Sequence, residues 1–256
     1  MILTIDVGNT NIVIGVYRED NLELTLRIKT NTTKTEDEYM ILFNSMLRIN
    51  HILPEEIEGS IISSVVPNLS SVLALAVNKL IGHTPLVVGP GIKTGFPIKI
   101  DDPSQLGSDL VVGAVGALSK YDPPLIVIDM GTATTFSAID ENGGFLGGAI
   151  CPGLRVSLSA LTQNAAQLSQ IELSAPKHAI GTNTNDSLRS GMILGCADMI
   201  DGMCKRFACE LNGNVTVVAT GGLSAKVLPY CSTQIHVEPD LLTDGLLALY
   251  KKNKKV

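Results

Sequence analysis

The chain has 256 residues and a formal net charge of −6, with 45% hydrophobic, 17% charged and 4% aromatic residues. These values fit a soluble globular protein with an aliphatic core and exclude a disordered chain, and the length suits two modest domains better than one. The acidic balance excludes a nucleic-acid or anionic-membrane surface, which needs a concentrated basic stripe, and no apolar run reaches the roughly 18–20 residues that cross a bilayer.

Met1 leads straight into a strand pattern, so no signal peptide is expected. Alternation then predicts strands near 2–6, 11–17 and 23–29, joined by short turns as an antiparallel meander. Thr35 and Glu38 form the S/T-x-x-E capping pattern before the stripe Met40, Ile41, Phe43, Met46 and Leu47, which predicts a helix to about Asn50. "SIISSVV" (60–66) reads as a buried strand, Asn68 to Leu80 as a helix and "PLVVG" (85–89) as a strand, giving βββαβαβ. Residues 90–106, with Pro90, Gly91, Gly95, Pro97 and Pro103, form a loop long enough to be functional. "GSDLVVGAVGAL" (107–118) opens a helix with Ser108 or Asp109 as its cap.

The second half repeats the plan: strands at 125–130, 134–139 and 145–150, a helix near 154–164, a long helix from about Thr184 to Leu211, "VTVVATGG" (215–222), and a terminal αβα. The boundary falls near 118–124, giving domains 1–120 and 121–256. Lys251, Lys252, Lys254 and Lys255 read as a solvated tail. Five cysteines, an odd number without CxxC spacing, point to reduced thiols in a cytosolic protein.

The repeat is also visible in detail. "LIVIDMGTATTFSAID" (125–140) matches the opening "ILTIDVGNTNIVIGVY" (2–17), with Ile5, Asp6 and Gly8 aligned on Ile128, Asp129 and Gly131 at an offset of 123 residues. That period is too long for a solenoid and indicates a duplicated domain. One D-x-G-[NT] stretch is an ordinary turn signal; two at the same station are not. Facing each other, such turns would line a cleft with backbone N–H groups and two carboxylates, which suits a metal nucleotide. Thr10, Thr132 and Thr134 could add hydroxyl donors. Asp6 can face phosphate only with a divalent cation, Mg²⁺ held through water. "ATGGL" (219–223) adds a third glycine turn, where an adenine or ribose could lie.

Duplicated βββαβαβ halves with paired D-x-G turns resemble the actin, hexokinase and sugar-kinase superfamily. This is an α/β, ribonuclease-H-like (actin-like ATPase) fold with two similar domains and a cleft between them. Within it, "DVGNTNIVIGVY", "LGSD", "DMGTATTF", "GGAICPGL" and "GTNTNDSLRSG" resemble the type III pantothenate kinase family over nearly the whole chain. The resemblance implies that Asp6, Val7, Gly8, Asn9, Thr10, Asn11, Ile12 and Val13 bind ATP, with Thr132 adding a contact. It implies a monovalent cation, K⁺ or NH₄⁺, on Asp129, and Asp109 as the base that takes the substrate hydroxyl proton. Pantothenate is implied to lie against Ile100, Gly107, Ser108, Asp109, Leu110 and Thr184, at a site formed partly across a homodimer interface. The implied reaction converts ATP and pantothenate to ADP and 4′-phosphopantothenate, the entry to coenzyme A synthesis.

Two positions depart from the family pattern. Leu110 stands where an Arg usually follows the base, and Ile100 where a Tyr commonly precedes it by nine residues; Leu cannot supply bidentate donors to a carboxylate. Three readings are open: Arg155 or Lys99 takes over the carboxylate, the acceptor is a different and less charged alcohol, or the chain is a catalytically weakened binding or regulatory homologue. Read from the residues alone, Asp109 is more simply a helix cap or dipole partner. The sequence holds no P-loop, dinucleotide fingerprint, HExxH or paired CxxC, and His51, His83, His178 and His236 are scattered and receive no role.

Overall fold

The computed structural model describes residues 1–165 and 168–254; Lys255 of the expected tail lies outside them. Strands β1 (Ile2–Val7), β2 (Asn11–Arg18) and β3 (Asn21–Lys29) pair antiparallel, while β4 (Gly59–Ser64) runs parallel to β1 and β5 (Leu86–Val87) parallel to β4. The sheet order is β3-β2-β1-β4-β5. Helix α1 (Glu36–Ile49) begins at the expected capping box: the Thr35 hydroxyl accepts from the Glu38 N–H, and the Glu38 carboxylate accepts from the Thr35 N–H at 2.8 Å. The strand expected to reach residue 66 ends at Ser64, because Pro67 opens helix α2 (Pro67–Ile81). Proline is pre-shaped for a first helical position and has no N–H to give a strand.

Period-two alternation sorts β1 onto two faces. Leu3, Ile5 and Val7 join Tyr39, Phe43 and Leu47 of α1 and Leu69 and Leu73 of α2 in one core cluster. Thr4 and Asp6 point the other way. On that opposite face lie α3 (Ser108–Leu118), which packs on β4, and α7 (Leu241–Asn253), which packs on β1 and β4. The two helices approach closely because glycines face each other's backbone: a Cβ at Gly245 would overlap the Val112 carbonyl, and one at Gly116 the Leu241 carbonyl. The Tyr17 hydroxyl, buried beneath α7, donates to the Asp244 carboxylate at 2.6 Å.

The second sheet repeats this plan with β6 (Leu125–Met130), β7 (Ala133–Ile139), β8 (Phe145–Pro152), β9 (Thr216–Thr220) and β10 (His236–Val237), in the order β10-β9-β6-β7-β8. Its first three strands are antiparallel and the last two run parallel to β6 or β9, as in the first sheet. Ile126, Ile128 and Met130 of β6 pack with Leu158 of α4 (Leu154–Asn164), Ile193, Ala197 and Ile200 of α5 (Thr184–Glu210), and Val227 of the short α6 (Ser224–Val227).

Two compact units result, one of Met1–Gly95, Asp102–Ser119 and Asp240–Val256, the other of Phe96–Asp101 and Lys120–Pro239. Phe96–Asp101, inside the long Pro/Gly loop, joins the second unit by adding a strand-like bridge: Lys99 N donates to Phe145 O at 2.8 Å and Phe145 N to Pro97 O at 2.9 Å. Lys251 of the expected solvated tail is helical and pairs with Asp20.

Candidate active site

In the first unit, β1 runs through Asp6 into a turn at Gly8–Thr10 and returns as β2, with Asp6 opposite Val13 and Val7 opposite Ile12. Gly8 N donates to Asn11 O at 3.0 Å and closes the turn. The Gly8 carbonyl accepts from the Thr30 hydroxyl at 2.6 Å, and the Thr10 carbonyl from Thr30 N at 3.0 Å, so these acceptors are turned toward protein. Asn9 and Thr10 are exposed, whereas Val7 and Ile12 are fully buried core residues. Of the eight residues Asp6–Val13, therefore, Val7 and Ile12 can meet a ligand only through their backbone. Asp6 itself is 8% exposed, on the sheet face that carries α3.

Its parallel partner in β4 is Ser63, which is fully buried on the same face. The Ser63 hydroxyl donates to Ser108 Oγ at 3.1 Å, and Ser108 Oγ donates to Ser64 O at 3.1 Å. Ser108 is the first residue of α3, so these bonds join the end of the sheet to the start of that helix.

Neither Ser108 nor Asp109 is the helix cap. That position is Gly107, which has no side chain to close the helix start. Asp109 lies two residues beyond the cap, and its Oδ1 accepts from Leu110 N at 2.9 Å. A Cβ at Gly107 would stand 2.5 Å from that oxygen, so glycine is what allows the carboxylate to fold back over the helix start. Burial pushes the Asp109 carboxyl above the ordinary carboxylate range, against the lowering effect of the Leu110 N–H. A carboxylate desolvated in this way holds a proton more readily than an exposed one and can take one from an alcohol.

The second unit places a turn at the same station, one residue shorter than the first. β6 ends at Asp129 and Met130, Gly131 N donates to Ala133 O at 2.9 Å, and β7 begins. Asp129 is opposite Thr135 in β7 and beside Thr220 in β9. Thr132 is exposed, and Thr134, the third expected hydroxyl donor, is buried. Gly153 N donates to Thr132 O at 3.1 Å, and any Cβ at Gly153 would overlap that carbonyl, so "CPGL" presses on the turn from the start of α4. The third glycine turn has a structural reason as well: Gly221, at φ 103°, would place a Cβ 2.6 Å from the backbone of Met130.

The remaining expected residues divide between the units. Gly107, Ser108, Asp109 and Leu110 belong to the first; Ile100 and Thr184 belong to the second. Ile100 lies near Gly147 of β8, and Thr184 is exposed at the first position of α5, whose cap Asn183 accepts from Asp186 N at 2.9 Å. Of the two cations considered as a replacement for the missing Arg, Lys99 is already ion-paired with Asp140 and draws that carboxyl below its usual range. Arg155 is exposed in the first turn of α4.

Among the described residues, no group of three or more His, Cys, Asp or Glu side chains forms a metal cage. A Mg²⁺ ion commonly keeps waters and binds through one carboxylate and substrate phosphates, a donor set that a single Asp beside a small polar turn fits.

Strand order and duplication define an actin-like α/β fold of the sugar-kinase type, and solved structures agree. The chain aligns over its full length with all of a candidate 2-dehydro-3-deoxygalactonokinase from Sinorhizobium meliloti (TM-score 0.61, 11% identity). It aligns over 99% of its length with all of a candidate Baf-family transcriptional activator from Campylobacter jejuni (TM-score 0.62, 19% identity). A family model described as type III pantothenate kinase matches residues 2–206. Curated relatives of that name are 44% identical in an Exiguobacterium species, over all of both chains, and 41% identical in Moorella thermoacetica, over 99% of this chain and all of that one. The chain belongs to the type III pantothenate kinase family.

Proposed function

We propose that the chain transfers the γ-phosphoryl group of ATP to the 4′-hydroxyl of pantothenate, releasing ADP and 4′-phosphopantothenate at the entry to coenzyme A biosynthesis. The observation that carries this reading is Asp109: a desolvated carboxylate at a helix start, tied through Ser108 and Ser63 to the strand beside Asp6. Full-length identity of 44% to a protein named for this activity supports it.

Asp109 Oδ1 accepts from Leu110 N, which orients the carboxylate that is to receive the hydroxyl proton. As the substrate oxygen bonds to the γ-phosphorus, the bond to the β–γ bridging oxygen breaks and ADP leaves with that electron pair. Phosphoryl transfer of this kind depends mainly on positioning and charge balance, so a late proton acceptor is sufficient and no covalent enzyme intermediate is needed. The backbone of Gly8–Thr10 and the exposed Asn9, Thr10 and Thr132 side chains offer donors to the phosphates. Asp6 would hold Mg²⁺ through water and Asp129 a monovalent cation; these ions, when bound, neutralise phosphate charge.

Thr184, Ile100 and Gly107–Leu110 are assigned to pantothenate. The exposed apolar side chains Ile150 on β8 and Val156 and Leu161 on α4 support a homodimer, and five cysteines without a disulfide suit a reducing cytoplasm. No helix among the described residues is long and apolar enough to cross a membrane. A coupled assay of ADP release with MgATP, K⁺ and pantothenate tests the reading: turnover that depends on pantothenate is expected, and pantothenate-independent background alone would overturn it.

A further inference from the structure

Ser63 lies in a strand whose neighbours Ile61 and Ile62 are fully buried and apolar, and Ser63 is fully buried too. A hydroxyl buried there is favoured when it is paired; that of Ser60 in the same strand has no partner, whereas that of Ser63 has one. Its partner is not local but 45 residues away: Ser63 donates to Ser108 Oγ, which in turn donates to Ser64 O, both at 3.1 Å. The first residue of α3 is thus bound twice to the end of β4. With glycine as its cap, the helix makes no side-chain capping bond of its own there. The residue after Ser108 is Asp109, and the residue beside Ser63 in β1 is Asp6.

We propose that Ser63 is a positioning residue for phosphoryl transfer, acting through Ser108 to fix Asp109 relative to the Asp6 turn. This rests on Asp109 being the base. The Ser63 hydroxyl touches neither substrate; it sets where the acceptor oxygen of Asp109 stands, and small misplacements of a catalytic group are costly in rate.

The test uses the full-length protein, with Ser63→Ala, Ser63→Thr and Asp109→Asn singly and Ser63→Ala combined with Asp109→Asn. Ser63→Ala is expected to lower kcat about 10- to 100-fold while KM for ATP stays within about twofold, and Ser63→Thr, which keeps the hydroxyl, to recover most of the loss. In the Asp109→Asn background the Ser63 change should have no further effect. A ¹³C NMR titration of the Asp109 carboxyl should shift in Ser63→Ala, a readout independent of turnover. Should Ser63→Ala fail to fold, Ser63→Cys, which replaces the hydroxyl by a much weaker donor of similar size, weakens the same link and is read in the same way. A wild-type kcat together with an unshifted Asp109 titration would overturn the proposal, as would an equal loss with and without Asp109. Absence of pantothenate phosphorylation by the wild type would count against the kinase reading alone, because the titration still decides the link between Ser63 and Asp109.

Discussion

The β1–β2 and β6–β7 turns stand at the same station in their sheets, but they differ in length by one residue and in their surroundings. Each follows a central strand, carries Asp two residues before Gly, and lies beside a parallel strand bearing a buried hydroxyl, Ser63 or Thr220. Around the first, Asp6 is almost fully buried and Ser63 passes its hydrogen bond to the helix that bears Asp109. Around the second, Asp129 is half-buried, and glycines crowd the turn: Gly153 against Thr132 and Gly221 against Met130. The internal repeat supplied two turns at the same station of two similar sheets. The elements packed around each turn differ: the first lies beside the helix that bears Asp109, and the second is tightly buttressed by glycines.

The largest effect should come from the feature that the second turn lacks. Asp109→Asn is expected to lower kcat about 10²- to 10⁴-fold and leave ATP affinity nearly unchanged, as read by single-turnover transfer and nucleotide titration. Its stability effect has the opposite sign. Burial raises the folded-state affinity of Asp109 for its proton above the ordinary value of 3.8, so ionising it costs stability as pH rises through the folded pKa. Asp109→Asn should therefore match or exceed the wild-type Tm at neutral pH, and this advantage should vanish below the unfolded value. A clear loss of Tm at neutral pH would make Asp109 structural.

Neutralising the carboxylate of each turn separately is the next test. Asp6→Asn should raise the Mg²⁺ concentration needed for half-maximal rate by about tenfold, the equivalent of roughly 1.4 kcal/mol, and Asp129→Asn should do the same for K⁺. If both variants altered Mg²⁺ dependence equally, the division of labour between the turns would fail. Gly221→Ala, at φ 103° and against Met130, should cost about 1–3 kcal/mol in urea unfolding. The smallest effect is expected from Leu110→Arg, which should lower KM for pantothenate about threefold to tenfold by adding a charged donor in the first turn of α3. An unchanged KM would mean that the Leu110 position does not reach the substrate carboxylate.

Much of the fold was legible because its signals are local. The capping box at Thr35 and Glu38 and the alternation in β1–β3 depend on residues close in sequence, the internal repeat on the order of short local motifs, and the structure agrees with them. Less was legible where long-range contacts decide. Nothing near residue 240 announces that α7 packs on α3, since the glycines that permit this, Gly116 and Gly245, look like ordinary helix-weakening residues until their close approach is seen. Similarly, Phe96–Asp101 reads as loop because its strand-like hydrogen bonds go to Phe145. At the site, the paired Asp-x-Gly stretches pointed to both turns, but the cap at Gly107 and the burial of Thr134 depended on how α3 and β7 are seated. Ser63 was hidden within a plausible strand; it is one of three serines there, and nothing local sets it apart from Ser60 or Ser64.

The most direct test of the account is ³¹P NMR of wild type and Asp109→Asn incubated with MgATP, K⁺ and pantothenate. A phosphate monoester of pantothenate should grow in step with ADP for the wild type and be nearly absent for the variant. Equal monoester formation by both proteins, or ADP release by the wild type without a monoester, would contradict it.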